Sequence, residues 1–124
     1  MFARGVGLGL VATLVAFLAV GAAVAGTASR VRLVVSPATV HAGGSIRVVG
    51  NAGTCHLGDT VFVISRAFPG RQFGVAGALS GRLQSGGVFA ISGHVRTRIA
   101  PGRYAITGRC GGGNLGVVVY LRVR

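Results

Sequence analysis

The chain has 124 residues, enough for one domain. All 13 basic residues are arginine, the one acid is Asp59 and the formal charge is +12, so paired carboxylates for acid–base catalysis are excluded. With 23 glycines and no tryptophan, a core has to be built from Val, Ile, Leu, Ala and a few Phe.

Met1–Arg4 is a short basic start, and Gly5–Ser29 carries no charge, with Leu8–Val24 almost wholly apolar. Small residues follow at Ala23–Ala25 and Gly26–Ala28. A basic start, an apolar run and a small-residue site describe a secretory signal peptide over residues 1–28, cleaved after Ala25 or Ala28. An uncleaved membrane anchor is the alternative, since about 20 apolar residues cross a bilayer, but the Gly and Ala content favours cleavage. No later stretch is long and apolar enough to span.

The remaining domain, residues 30–124, reads as strands. Val31–Ser36 alternates and stops at Pro37; Ser45–Gly50 places Ile46 and Val48 inward and Arg47 outward. Thr60–Arg66 is apolar on both faces, as a central strand is, and Ala67–Gly74 is a loop with a Pro-Gly turn. Val75–Leu83 is a weak, glycine-interrupted edge strand, and Ser85–Gly87 is a tight turn. Val88–Val95 follows. Gly102–Cys110 then alternates cleanly, with Tyr104, Ile106, Gly108 and Cys110 on one side and Arg103, Ala105, Thr107 and Arg109 on the other. After the Gly111–Gly113 turn, Leu115–Val123 turns Val117, Val119, Leu121 and Val123 inward. Seven short alternating strands and no helical period predict an all-β sandwich or barrel.

Cys55 and Cys110, behind an export signal, are best read as one disulfide joining opposite sheets. The rival is a metal site of Cys55, His56 and Cys110, but zinc needs four ligands at recognisable spacing and no such spacing exists here. Neither a metal nor a cofactor is expected.

The order of the pieces resembles that of small secreted immunoglobulin-like domains of high-GC Gram-positive bacteria (actinobacteria). The matching segments are SPATVHAGGSIRVVGNAGTCHLGDTV, GGVFAISGHV and APGRYAITGRCGG, so the resemblance covers nearly all of residues 33–123. It implies a seven-stranded antiparallel immunoglobulin-like Greek-key sandwich. It also implies that Cys55 and Cys110 are the paired cysteines, that Gly43, Gly44 and Gly50 are turn and close-packing glycines, and that Phe89 is a core aromatic. Pro101, Gly102 and Tyr104 fall on its turn into the penultimate strand. Gln84–Gly87 lacks the acidic turn often found there, which removes any calcium role. The chain ends at Arg124 without a stalk or sorting signal, as a released or loosely attached domain would. Tyr104 precedes Cys110 by six residues rather than two, and no core Trp is present, unlike antibody domains.

Chemistry-bearing residues are few. His41 sits in a turn, His56 follows Cys55 and His94 falls on an outer face. No GxSxG elbow occurs, Asp59 beside Gly58 reads as a turn residue, and enzyme activity is not expected. Gly108–Gly116, GRCGGGNLG, lacks the following helix that a phosphate loop requires and reads as a hairpin turn. His56, Arg109 and Asn114 share the loop end near the disulfide and form the candidate binding site.

A +12 charge suits an anionic partner: nucleic acid, an acidic wall polymer or anionic lipid. The arginines are scattered and never form a run of five, so they read as solvated outer-face residues, although a flat sheet of them can act as a diffuse anion-binding surface. The function expected is therefore a secreted, non-catalytic module at the cell surface or envelope, its Arg-rich faces held by anionic envelope polymers or another surface protein. Nucleic acid is disfavoured as partner, and no membrane contact is expected after cleavage. The alternatives are a small-molecule carrier of the chromophore-sheltering kind and a surface domain anchored through an uncleaved N-terminus.

Overall fold

A computed structural model of the protein describes residues 30–124; the expected signal peptide and its cleavage sites lie outside them. The described residues contain eight strands: β1 (Arg32–Ser36), β2 (Thr39–Val40), β3 (Ser45–Asn51), β4 (Thr60–Ser65), β5 (Gly77–Arg82), β6 (Val88–His94), β7 (Gly102–Cys110) and β8 (Gly113–Val123). They form a three-stranded sheet in the order β1-β3-β6 and a five-stranded sheet in the order β2-β8-β7-β4-β5. The described residues are thus all-β with two sheets, as a β-sandwich is.

The expected count of seven antiparallel strands is corrected to eight with one parallel pair. The extra strand is β2, which runs parallel to β8 with Thr39 opposite Arg122 and Val40 opposite Val123. Two residues beyond a proline carry no readable alternation. The chain leaves the three-stranded sheet at the cis Ser36–Pro37 bond and joins the other sheet at Thr39.

Alternation dictates the core. Leu33, Ile46, Val48, Phe89 and Ile91 face inward from the smaller sheet; Val61, Val63, Ile106, Leu121 and Val123 meet them from the larger one. Each fully buried aliphatic side chain stabilises the fold by about 1.5–3 kcal/mol relative to exposure. At one edge the sheets pinch together where side chains are missing. A Cβ on Gly81 would lie 2.8 Å from Ile91, and one on Gly93 would lie 2.6 Å from Leu79. This explains the glycine-interrupted β5, which is indeed an outermost strand.

Two side chains tie loops to the sheets. Asn51, buried at the end of β3, donates from Nδ2 to the Gly86 carbonyl at 3.0 Å and accepts the Gly53 amide at 2.8 Å. It leaves no room at Gly87, where φ is +82° and a Cβ would lie 2.8 Å from Asn51 Oδ1. Arg96, after β6, donates from Nε to the Phe68 carbonyl at 2.7 Å and from Nη2 to the carbonyls of Gly70 at 2.6 Å and Val75 at 3.4 Å. Arg96 therefore holds the loop expected over Ala67–Gly74, with its Pro-Gly turn, against the sandwich. Arg96→Ala is expected to lower stability by about 2 kcal/mol in urea unfolding, because charge-assisted bonds to the loop are lost. Arg96→Lys should recover only part of this, since an ammonium lacks the fork that reaches several carbonyls.

Cys55, in the loop after β3, is bonded to Cys110 at the end of β7, with Cα atoms 6.4 Å apart. The bond links the two sheets at one end. Such a bond is compatible with an extracellular location, and among the described residues no helix is long and apolar enough to cross a membrane.

Candidate functional site

The structure brings His56, Arg109 and Asn114 to the disulfide end of the sandwich. Arg109 and Asn114 are opposite each other across β7 and β8. Both serve the hairpin: Arg109 Nη2 donates to the Gly112 carbonyl at 3.3 Å, and Asn114 Oδ1 accepts the Gly116 amide at 2.7 Å. His56 is exposed beside Cys55. The three do not converge on a common point through hydrogen bonds.

Potential metal ligands gather once among the described residues, at Cys55, Asp59 and Cys110, with ligand atoms within 4.8 Å of one another. Two of these atoms are the bonded sulfurs, which offer no thiolate, so the oxidised protein has only Asp59 to give. Asp59 Oδ2 lies 3.5 Å from Cys55 Sγ. His41, His56 and His94 are all exposed, and none belongs to this group.

The more distinctive feature is the outer face of the five-stranded sheet. Period-two alternation on β7 turns Arg103, Ala105, Thr107 and Arg109 away from the core. On β8 it turns out Val118, Tyr120 and Arg122, and on β4 and β5 Thr60, Phe62, Ser80 and Arg82. Register then sets Arg103 directly opposite Arg122, and Phe62 opposite both Arg109 and Ser80. Between Thr107 and Arg109 the β7–β8 register shifts, with Thr107 opposite Val118 and Arg109 opposite Asn114.

Two arginines on this face rest on rings. The Arg103 guanidinium carbon is 3.7 Å from the centre of Tyr120, and that of Arg109 is 5.9 Å from the centre of Phe73. Phe73, from the loop between β4 and β5, meets Phe62 edge-on at 5.8 Å. Like charges directly opposite across strands repel, and Asp59, the chain's only acidic side chain, cannot relieve Arg103 and Arg122. It lies at the Cys110 end of β7, and Arg103 is seven residues earlier, about 23 Å along a strand. An uncompensated arginine pair on an exposed sheet attracts an anion from solution. Distance along the chain hides this pair: positions 103 and 122 look unrelated until the β7–β8 register is known.

No family model and no curated protein matches the sequence. Among solved structures the chain is similar to Pseudomonas fluorescens alkylpurine DNA glycosylase AlkC bound to DNA containing an abasic site analog. The identity is 22% and the TM-score 0.52, over 77% of this chain and 30% of that one. The likeness shows a shared fold, and this chain accounts for less than a third of that protein's length.

The expectation of a secreted, envelope-associated module, which rests on the N-terminal segment, the cysteine pair and the arginine-rich faces, is overturned by the likeness to part of a DNA glycosylase. The same finding displaces the chromophore-carrier alternative, which rested on fold analogy alone. The anchored-domain alternative depended on residues 1–29, outside the described residues.

Proposed function

We propose that this β-sandwich is a nucleic-acid-binding domain that holds the phosphate backbone against the outer face of its five-stranded sheet. The observation that carries this reading is the directly opposed, uncompensated pair Arg103 and Arg122, with Arg82 and Arg109 on the same face. Planar guanidinium forks suit phosphate oxygens, and thirteen arginines with no lysine favour that geometry throughout. The similar solved structure is of a glycosylase bound to DNA, which supports the choice of nucleic acid over other polyanions. The strand order also fits an immunoglobulin-like plan: the first strand divides between two sheets and a disulfide links β3's loop to β7. The Tyr104 hydroxyl donates to the Ala100 carbonyl at 2.6 Å and holds the turn into β7.

Fluorescence anisotropy with labelled DNA over a salt series tests the reading. Affinity should fall steeply with salt. The double variant Arg103→Gln/Arg122→Gln should flatten the log–log slope by about 1.4–1.8, from two lost phosphate contacts. A double variant with the parent's slope and affinity would remove this face from the binding reading.

A further inference from the structure

Resting on that reading, we infer that the face takes single-stranded nucleic acid, with unstacked bases against the Arg103–Tyr120 and Arg109–Phe73 units. Binding to backbone phosphates alone would need arginines and nothing more. Here two of the face's arginines are paired with rings, and Tyr120 is 45% exposed on the same surface. Aromatic rings alternating with guanidinium groups are how single strands are held, since every base has a face to stack and duplex bases hide theirs.

The shape of the sheet agrees. From β8 to β5 there are three inter-strand gaps of about 4.8 Å, so the face is about 14 Å wide before side chains are added. A duplex major groove is about 12 Å wide and admits a helix or a two-stranded ribbon. A four-strand face cannot enter it, so Tyr120 and Phe73 can reach bases only when these are splayed out.

Spacing favours a strand that runs along β7. Arg103 and Arg109 are six residues apart on it, about 20 Å, with one ring unit at each end. Between them lie Ala105 and Thr107, small side chains on β7 itself, with Tyr120 beside Ala105 and Val118 beside Thr107 on β8. A flexible phosphate backbone can cross this stretch while bases stack at the two ends.

The experiment compares oligothymidine of about 20 nucleotides, longer than the roughly 4–16 that one small β-domain covers, with a duplex hairpin of equal charge. Parent, Tyr120→Ala, Tyr120→Phe and Phe73→Leu proteins are titrated at one salt concentration and then over a salt series. The single strand should bind at least about tenfold more tightly than the hairpin. Tyr120→Ala should weaken it about tenfold with an unchanged salt slope, while Tyr120→Phe keeps the parent affinity. Phe73→Leu, which retains apolar bulk, should weaken single-strand binding without moving the thermal unfolding midpoint. An oligouridine arm reports which sugar is preferred, and tight binding of either strand supports the inference. Equal affinity for strand and hairpin overturns it, as does a Tyr120→Ala protein that binds the strand like the parent; in both cases the backbone-binding reading survives. Failure to bind either nucleic acid overturns that reading itself.

Discussion

Replacing Cys55 and Cys110 together by alanine is expected to lower the unfolding free energy by about 4 kcal/mol. The two residues are 55 apart in sequence, and in the chain-entropy model a loop of that length restricts the unfolded ensemble by about that amount. The bond also acts in the folded state, because it joins the loop after β3 in one sheet to the last residue of β7 in the other. A small domain has a total stability of about 5–15 kcal/mol, so the variant would lie near the limit of folding at 37 °C. Denaturant unfolding of the oxidised parent and the double variant measures the difference directly. A loss under about 1 kcal/mol would mean that the two sheets are held together almost wholly by their shared core.

Phe68→Ala should cost about 3–5 kcal/mol, the range for truncating a fully buried aromatic. Phe68 is fully buried and the largest such side chain among the described residues. Its carbonyl also accepts from Arg96 Nε at 2.7 Å, so its ring and the arginine fork fix the same loop. The two losses should therefore be less than additive. Urea unfolding of Phe68→Ala, Arg96→Ala and the double variant gives the coupling, and strict additivity would show that the loop's core anchor and its surface clasp act independently.

Phe68 also marks where reading along the chain stops short. In AFPGRQFG the proline and glycines announce a turn, and nothing local says that the preceding Ala67 and Phe68 dive into the core. Arg96, 28 residues after Phe68, holds the same loop from outside. Strands with clear alternation fared better. Gly102–Cys110 has its expected bounds, and Ile46 and Val48 face inward as their spacing requires, because period-two burial is encoded within each segment. The outermost place of β5 was legible from its glycines. The two-residue β2 was not, since its pairing with β8 is made by residues more than eighty positions away.

The candidate site divides in the same way. His56, Arg109 and Asn114 could be placed at one end from the disulfide alone, and they are there, yet their bonds shape a turn. The arginine face was hidden because charge that is scattered along the chain becomes grouped only through cross-strand register. Arg103 and Arg122 become neighbours only in the β7–β8 pairing, and Phe73 joins Arg109 only when a loop folds over the sheet.

The parallel pairing of β2 with β8 has a mechanical consequence. Two of the bonds across it, Arg122 N to the Ala38 carbonyl and Arg124 N to the Val40 carbonyl, are both 2.9 Å long and lie between segments near opposite ends of the domain. Tension applied across those ends pulls parallel neighbours past each other, so the bonds are sheared together rather than unzipped one at a time. Resistance to stretching is thereby concentrated in this short patch, beside Arg122. A ligand that bridges Arg103 and Arg122 would stitch β7 to β8 next to it and raise the force at which the domain yields.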